Sequence, residues 1–249
     1  MALIEHTLFG ITDKVNEAKK VLTKYKPTYL AFSGGKDSQT CYHLMREAGL
    51  NFRSVFRRAC EPPEVIYFIR NYYPNVEFEI PEKSIYTLIE ENGIPPLRTI
   101  KYCCRLIKED GGSGITKVTG IRWAESTRRK NTRNMVEINE NGGIIINPII
   151  AWSDDDVWQY IKERSIQTCS LYAEGRKRIG CVMCPNGNPT NDALRWPKIA
   201  KAYRHACRRA YDRRMHPNFA NGDELYEWWV SGRAAAELED DMLWDENDV

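Results

Sequence analysis

Residues 31–38, AFSGGKDS, constrain the fold more than any other part of the sequence. The glycine-rich part of this stretch, residues 33–38, follows an apolar run at 29–32 that is typical of a buried strand. After them, apolar or small residues recur at helical spacing, namely Thr40, Cys41, Leu44 and Met45. The sequence therefore predicts a strand, a tight glycine turn and the start of a helix, which is the beginning of an α/β unit.

The turn has the composition of a loop that binds an anion. The first amide groups of a helix lack intrahelical partners and attract negative charge. Gly34 and Gly35 are expected to take positive φ and to let the backbone come close to a ligand. Ser33 and Ser38 add hydroxyl groups, and Lys36 adds a positive charge. A simple helix N-cap would use similar residue types, but the whole pattern after a strand favours a phosphate site.

Composition indicates a soluble globular protein. The chain has 249 residues, of which 42% are hydrophobic and 28% charged, with a net charge of +2. This length accommodates one substantial core, or one core and a smaller appendage. No apolar run is long enough to span a bilayer, and the N-terminal residues lack the features of a signal peptide. A cytoplasmic location without a membrane partner is expected.

Strand and helix signals alternate over the first 150 residues. An amphipathic helix is predicted from Ile11 to Tyr25, further helices over 62–74 and 84–91, and strands over 76–81 and 115–121. A hairpin is predicted over 135–149, turning at 141–143. This order predicts an α/β fold with a doubly wound, mostly parallel sheet. We expect an α/β nucleotide-binding domain over 1–150 and a helical C-terminal region over 151–249, beginning with a helix capped by Ser153.

Four of the eight cysteines form two pairs. Cys103 and Cys104 are adjacent in KYCCRLIK, and Cys181 and Cys184 form a C-x-x-C in GCVMCPNG. Two pairs of soft thiolates suit a tetrahedral zinc ion or a four-cysteine iron–sulfur cluster, and thiols without metal are the remaining alternative. Cys169 is either a substitute ligand or a packed thiol, while Cys41 and Cys207 are expected in the core.

A third motif, GIRWAESTRR, covers residues 120–129. A glycine at a strand end followed by Arg122, Arg128 and Arg129 would place guanidinium groups beside a crevice, where they can bind phosphate or sulfate in a bidentate manner. The alternative is a solvated basic helix start.

Together these motifs resemble a known enzyme family. The turn is not a Walker A loop, because Asp37 separates Lys36 from Ser38. It matches the PP-loop pattern S-G-G-x-D-S, and the cysteine pairs and the GxRxxES segment occur with it as they do in the iron–sulfur branch of the phosphoadenosine phosphosulfate reductase family. The resemblance implies the fold of the adenine nucleotide alpha hydrolase superfamily. It implies nucleotide binding by Ser33, Gly34, Gly35, Lys36, Asp37, Ser38, Gly120, Arg122, Glu125, Ser126 and Arg128. It also implies a 4Fe-4S cluster on Cys103, Cys104, Cys181 and Cys184.

The sequence departs from the family's reductases at one motif. Those enzymes carry a C-terminal E-C-G-[IL]-H segment whose cysteine attacks sulfur, whereas the last cysteine here is Cys207. The chain is therefore similar to relatives that use the PP-loop as an ATP pyrophosphatase beside a cluster, including the DNA phosphorothioation pyrophosphatase. This similarity implies cleavage of Mg²⁺-bound ATP to AMP and pyrophosphate, with Lys36, Asp37 and Arg122 as catalytic residues and Asp37 near the metal.

Two other functions stay open. The first is a sulfonucleotide reductase that uses a thiol from another protein, and a sulfur donor or thiol reductant protein is a candidate partner in either reaction. The second is a non-catalytic module that binds a nucleotide or a nucleic acid. The segment RWPKIAKAYRHACRRAYDRR has an apolar and a basic face; most such basic faces are solvated, and a nucleic acid is the alternative partner.

Overall fold

The computed structural model describes residues 3–7, 10–109, 114–138, 142–214 and 217–232. The strands are β1 Ile4–Thr7, β2 Gly10–Asp13, β3 Tyr29–Ala31, β4 Arg53–Arg57, β5 Val76–Glu79, β6 Lys117–Val118, β7 Val136–Ile138 and β8 Ile144–Ile146. The helices are α1 Lys14–Tyr25, α2 Lys36–Glu47, α3 Pro63–Tyr72, α4 Ile85–Asn92, α5 Thr127–Thr132, α6 Asp154–Glu163, α7 Ser170–Ala173, α8 Pro189–Arg195, α9 Pro197–Arg214 and α10 Gly222–Val230. A π-helix covers Cys104–Glu109, and a 3₁₀ turn covers Trp123–Glu125.

Six strands form one sheet in the order β5-β4-β3-β6-β8-β7. All neighbouring pairs are parallel except β7 and β8, which pair antiparallel at the edge. The prediction of a mostly parallel α/β sheet is confirmed. The hairpin of β7 and β8 is also as predicted, although part of its turn lies outside the described residues.

The strand order reverses between β3 and β6. From β3 the chain continues to β4 on one side, and it later returns to β6 on the other side. In open α/β sheets, ligands bind in the crevice at the carboxyl ends of the strands where the order reverses. The glycine turn at 33–35 follows β3, and Gly120 lies two residues after β6. The fold therefore brings two of the three sequence motifs to one position.

The chain divides into two compact units. The first comprises the described parts of Met1–Arg58, Pro63–Ile80 and Asp110–Ile179. It contains the six-stranded sheet, and its core includes the buried side chains of Leu30, Leu44, Phe56, Ile69 and Ile146. The helix α6 packs against α2 in this unit. The predicted domain division at residue 150 stays a prediction, and the compact units follow an interleaved course along the chain.

The second unit comprises the described parts of Ala59–Pro62, Pro81–Glu109 and Gly180–Val249. Its described residues contain helices and turns and no strand. Helices α4 and α10 both pack against α9, whose buried residues include Tyr203 and Cys207. Both pairs of cysteines lie in this unit. The prediction of a helical C-terminal region is confirmed.

Several local predictions were wrong in detail. Ile11 belongs to β2, because α1 begins only after Asp13, whose side chain caps the helix by accepting from the Asn16 amide at 3.0 Å. The predicted strand over 115–121 is limited to Lys117–Val118. Within the described residues, no helix is long and apolar enough to cross a membrane.

Candidate functional site

The glycine turn after β3 has one residue in the left-handed region. Gly34 has φ of 74°, and a Cβ atom there would lie 2.9 Å from the side chain of Ile69. Gly34 is therefore required both by conformation and by space. Gly35 differs from the prediction, because its φ is −82° and it serves as the extended N-cap residue of α2. Only one of the two glycines takes positive φ.

A third glycine lies against the start of α2. A Cβ atom on Gly120 would lie 2.9 Å from the backbone carbon of Asp37 and 3.0 Å from the backbone nitrogen of Ser38. A side chain at this position would push the loop after β6 away from α2. The glycine of the third motif thus lets two backbone segments meet at the strand ends.

The two serine hydroxyls hold the turn together. The hydroxyl of Ser38 accepts from the amide of Ser33 at 3.1 Å and donates to the carbonyl of Gly35 at 2.9 Å. The hydroxyl of Ser33 lies 3.1 Å from that of Ser38. Ser38 is buried, whereas Ser33 is exposed. The structure gives Ser38 a role in shaping the turn and leaves Ser33 at the surface.

Two positively charged side chains are almost fully buried beside the turn. Lys36 is 3% exposed and Arg122 is 1% exposed. The Nε atom of Arg122 donates to Asp37 at 2.7 Å, and Nζ of Lys36 lies 3.4 Å from Asp37. Asp154 contacts both cations, at 2.7 Å from Nη2 of Arg122 and 3.1 Å from Nζ of Lys36. Buried cations require such counter-ions, because an unpaired charge out of water is very costly.

Backbone contacts fix the position of Arg122. Its amide donates to Glu125 at 3.0 Å in a capping box that opens the 3₁₀ turn. Its Nη1 atom donates to the carbonyl of Trp152 at 3.1 Å. Glu125, which the sequence placed at the nucleotide site, also pairs with Arg129. The Glu125 carboxylate therefore contacts the backbone amide of Arg122 and the side chain of Arg129.

The arginines of the third motif differ in how much of each side chain is exposed to solvent. Arg128 is exposed, and Ser126 caps α5 by accepting from the amide of Arg129 at 3.2 Å. Burial lowers the pKa of Arg129, and the nearby charges of Arg178 and Arg133 lower it further. A pKa lowered by neighbouring cations marks a place where an anion is favoured. The charges of Arg178, Arg133 and Arg122 are thus close enough to Arg129 to affect its ionisation.

Sequence analysis missed two residues of this site. No local sequence pattern distinguishes Asp154 from the two acids that follow it at the start of α6. The hydroxyl of Tyr172 accepts from the amide of Lys36 at 2.9 Å, although the two residues are 136 positions apart in the sequence. Burial raises the pKa of Tyr172. For Asp154, the hydrogen bonds from Arg122 and Lys36 outweigh the effect of burial and lower the pKa.

The four paired cysteines lie in one neighbourhood of the second unit. All four cysteines are half-buried. A hydrogen bond with Cys104 and burial raise the pKa of Cys103, and the charges of Cys104, Cys181 and Cys184 raise it further. The thiols therefore interact with one another electrostatically. Within the described residues, no group of three or more His, Cys, Asp or Glu side chains could hold a metal ion.

The adjacent pair is placed by an unusual helix. Cys104 begins the π-helix, and Cys103 immediately precedes it. A π-helix has more residues per turn than an α-helix, so neighbouring side chains diverge by less than the ~100° of an α-helix. This geometry reduces the difficulty of directing two adjacent thiols to the same side.

The C-x-x-C loop is hydrogen-bonded to residues that precede it and residues that follow it in the second unit. The amide of Val182 donates to the carbonyl of Cys60 at 2.7 Å, and the Val182 carbonyl accepts from the Tyr203 hydroxyl at 3.2 Å. Met183 takes a left-handed φ of 63°, and its amide donates to the buried carboxylate of Asp192 at 2.9 Å. Cys60 and Asp192 were not predicted as part of this region.

A buried acid lies next to the first cysteine of this loop. The side chain of Glu61 is 3.3 Å from Nζ of Lys108, and the Cys181 thiol lies 3.9 Å from the same carboxylate. Partial burial would lower the pKa of Lys108, whose side chain is 37% exposed, but Cys181 and Glu61 raise it. Lys108 is therefore a permanent positive charge beside a thiol.

The other four cysteines have the properties of core residues. Cys41, Cys60, Cys169 and Cys207 are buried. Burial raises the pKa of each thiol, to about 12 for Cys207. A thiol is reactive as its thiolate, so none of these four is suited to act as a nucleophile. The prediction that Cys41 and Cys207 are core residues is confirmed.

Three arginines of α9 pair with acidic residues of their own unit. Arg208 pairs with Asp223 at 2.9 Å, Arg204 pairs with Asp223 and Glu227, and Arg209 pairs with Glu90 at 2.7 Å. These pairs use α10 and α4, which pack against α9. A nucleic-acid partner for the basic face of α9 stays a prediction, and these arginines do not require one for charge balance.

The site in the first unit has the groups needed for an anionic ligand. It combines a close backbone approach, a helix N-terminus and two fixed cations at the carboxyl edge of a parallel sheet. Preorganised cations of this kind stabilise charge on phosphate or sulfate oxygens.

Comparisons with known proteins agree with this geometry. Residues 27–187 match the model of the phosphoadenosine phosphosulfate reductase domain. An uncharacterized protein of Methanocaldococcus jannaschii is 26% identical over 231 residues, covering 82% of this chain and 44% of that protein. An adenosine 5'-phosphosulfate reductase of Oceanobacillus iheyensis is 28% identical over 189 residues, covering 69% of this chain and 79% of that enzyme.

Solved structures show the same fold. The crystal structure of phosphoadenylyl-sulfate reductase from Candida auris, in a phosphate complex, has a TM-score of 0.50 and 18% identity, covering 66% of this chain and 88% of that one. The chain spans less than half the length of two archaeal relatives that it matches, at 44% and 40%. The family model covers more than half of the chain, and the chain belongs to the phosphoadenosine phosphosulfate reductase family.

Proposed function

We propose that this chain is an enzyme that binds ATP at residues 33–38 and cleaves it between the α and β phosphates to activate an acceptor. The observation that carries this proposal is the pair of buried cations, Lys36 and Arg122, beside the glycine turn. In phosphoryl transfer the protein mainly positions the phosphates and neutralises the charge that develops on their oxygens. Two cations fixed in a buried place are suited to that task.

The proposed reaction is adenylate transfer. An oxygen of the acceptor attacks the α-phosphorus, and the bond from that phosphorus to the bridging oxygen breaks. The electron pair leaves with pyrophosphate, so the products are adenylated acceptor and pyrophosphate. Arg122 and Lys36 stabilise the charge on the phosphates. Asp37, which accepts from Nε of Arg122 at 2.7 Å, is the proposed contact for the Mg²⁺ that accompanies ATP.

The second unit is proposed to hold a 4Fe-4S cluster on Cys103, Cys104, Cys181 and Cys184. The donor set fits, since these are four half-buried soft thiols that affect one another's ionisation. Four soft thiolates suit either a zinc ion or an iron–sulfur cluster, and the resemblance to the iron–sulfur branch of the family favours the cluster. The cluster would supply a site for sulfur or for electrons.

A second candidate function is the reduction of a sulfonucleotide. Several relatives are named adenosine 5'-phosphosulfate reductase, including those of Oceanobacillus iheyensis and Staphylococcus haemolyticus. In this reaction one adenosine 5'-phosphosulfate and two thiols give AMP, sulfite and one disulfide, so sulfur gains the two electrons that the thiols lose. Because the cysteines outside the two pairs are buried with raised pKa values, the thiols would come from another protein.

One experiment separates these functions. Protein purified without oxygen is incubated with Mg²⁺ and ATP, or with adenosine 5'-phosphosulfate and thioredoxin, and pyrophosphate and sulfite are measured. We expect slow formation of pyrophosphate from ATP, with water taking the place of the acceptor. Sulfite alone would establish the reductase, and tight binding without either product would establish a binding module. Absence of binding to both nucleotides would refute the nucleotide site.

A matched pair of variants tests the buried cation. Arg122→Ala should reduce turnover by about 100-fold or more, because removal of one preorganised donor typically costs that much. Lys130→Ala removes an exposed cation of the same unit and should leave turnover unchanged. Equal activity of the two variants would contradict the role of Arg122.

A further inference from the structure

The anion-binding groups of the first unit are already engaged by the chain's own oxygen atoms. Oδ1 of Asp154 lies 2.7 Å from Nη2 of Arg122 and 3.1 Å from Nζ of Lys36. One carboxylate oxygen therefore bridges the two buried cations. A phosphate or sulfate oxygen in the same place would make the same two contacts.

The two carboxylates at this site differ in how freely they can leave. Asp37 belongs to α2, and its side chain is 22% exposed, whereas the side chain of Asp154 is 67% exposed. Asp154 is the first residue of α6, so its side chain can rotate into solvent while the helix keeps its backbone hydrogen bonds. The cations cannot follow, because both are almost fully buried.

Removal of the Asp154 carboxylate would leave excess positive charge in a buried place. With Asp37 alone, two cations would face one anion. An uncompensated buried charge is strongly unfavourable, so the carboxylate can leave only when another anion replaces it. Asp154 and an anionic ligand are thus alternatives at the same pair of cations.

We propose that Asp154 is an internal counter-ion that occupies the place of the ligand's anionic group and is displaced when the ligand binds. This inference deepens the proposed function and rests on the same site. It makes Asp154 a residue that sets affinity and selectivity, since a ligand must compete with a carboxylate at two contacts. A polyphosphate or a sulfonucleotide carries enough charge to do so, and a weakly charged nucleoside does not.

The test compares Asp154→Asn with Asp155→Asn. Both substitutions remove one negative charge from the first turn of α6, but Asp155 is exposed and contacts neither cation. ATP binding is measured by calorimetry in EDTA, so that no metal ion contributes. We expect Asp154→Asn to bind ATP about 10-fold more tightly than wild type, because the nucleotide no longer competes with a carboxylate. This change corresponds to about 1.4 kcal/mol of binding free energy. Asp155→Asn should stay within about twofold of wild type. Unchanged or weaker binding by Asp154→Asn would overturn the inference.

A second measurement does not depend on nucleotide binding. The thermal midpoint of each protein is followed with increasing inorganic pyrophosphate, because a ligand that binds the native state raises the midpoint. We expect a larger rise for Asp154→Asn than for wild type or Asp155→Asn. Equal rises in all three would overturn the inference. A larger rise for Asp154→Asn without binding of any nucleotide would support the counter-ion and refute the proposed function.

Discussion

The hydroxyl group of Tyr172 accepts a hydrogen bond from the backbone amide of Lys36 at 2.9 Å. This amide belongs to the first residue of α2 and is one of the groups that a phosphate would use at a helix N-terminus. The Tyr172 ring packs edge-on against Trp158 with centroids 5.1 Å apart, which fixes the direction of the hydroxyl. The contact links α7 to the proposed phosphate site.

We expect Tyr172→Phe to bind ATP about 2- to 10-fold more tightly than wild type. The substitution keeps the ring and removes a hydroxyl that competes for the Lys36 amide, and a hydrogen bond of this kind contributes about 0.5–1.5 kcal/mol. Calorimetric titration measures the effect. Tyr211→Phe, which removes an exposed hydroxyl bonded to the carbonyl of Ala220, is the matched control. Weaker binding by Tyr172→Phe would mean that the hydroxyl contacts the ligand instead.

The two glycines of the turn should respond differently to alanine. Gly34→Ala places a Cβ atom on a left-handed residue 2.9 Å from Ile69, and the conformation alone costs about 1–2 kcal/mol. Gly35→Ala has an ordinary φ, and its new Cβ would lie 3.4 Å from the hydroxyl of Ser33. Thermal unfolding should show a clear decrease for Gly34→Ala and a small change for Gly35→Ala. Similar losses in both would contradict the described turn.

The local part of the site could be predicted from sequence. The order of strand, glycine turn and helix at 29–47 is encoded in neighbouring residues, and so is the N-cap of α6 at Ser153. The meeting of Arg122 with Asp37 also follows from parallel strands that end at one edge. These features depend on short patterns and on one topological rule.

The site residues that were not predicted are brought into place by contacts between distant segments. Tyr172 and Asp154 reach Lys36 only after β6, β8 and α6 are assembled, and no periodicity marks them. Asp154, Asp155 and Asp156 have the same chemistry in sequence, yet the first contacts two buried cations and the third accepts from the amide of Ser153, the residue that caps the helix. The prediction of positive φ at Gly35 was wrong for a similar reason, since the sequence of two adjacent glycines does not indicate which of them takes the left-handed conformation.

Acid should weaken the first unit through Asp156. Burial would raise the pKa of this carboxyl, but hydrogen bonds from Lys14 and Ser153 lower it below its ordinary value. A lowered native pKa gives stability that is present above the unfolded pKa of about 3.9 and is lost as the pH falls through the native pKa. Asp156→Asn should therefore reduce the loss of thermal stability below about pH 4. Asp155→Asn is the control, and identical acid profiles for wild type and Asp156→Asn would contradict the prediction.

Iron binding should depend on the C-x-x-C cysteines and not on buried ones. We expect Cys181→Ser and Cys184→Ser to lose iron and labile sulfide after purification without oxygen, because hard hydroxyl oxygens replace soft thiolates. Cys41→Ser and Cys207→Ser should keep both, since these thiols lie in the core. Stoichiometric zinc in place of iron in the wild type would contradict the cluster. Loss of turnover with intact iron in Cys207→Ser would replace the pyrophosphatase with a mechanism that uses a cysteine nucleophile.

Asp192 should control the conformation of the C-x-x-C loop. Its carboxylate is 3% exposed and accepts from the amide of Met183, which sits in the left-handed region at a φ of 63°. Without that acceptor a buried amide loses its partner and a strained backbone loses its support, which together cost about 2–3 kcal/mol. In protein prepared without iron, Asp192→Ala should therefore raise the rate at which Cys181 and Cys184 react with iodoacetamide, by about 10-fold or more well below the unfolding temperature.

The conservative variant separates this role from a general loss of stability. Asp192→Asn keeps an oxygen that can accept from the Met183 amide, so alkylation of Cys181 and Cys184 should stay close to the wild-type rate. Cys169, which is buried in the first unit, serves as the internal reference in each digest analysed by mass spectrometry. A parallel increase at Cys169 in Asp192→Ala would indicate global unfolding. An unchanged rate at Cys181 and Cys184 in Asp192→Ala would show that the loop keeps its conformation without the carboxylate.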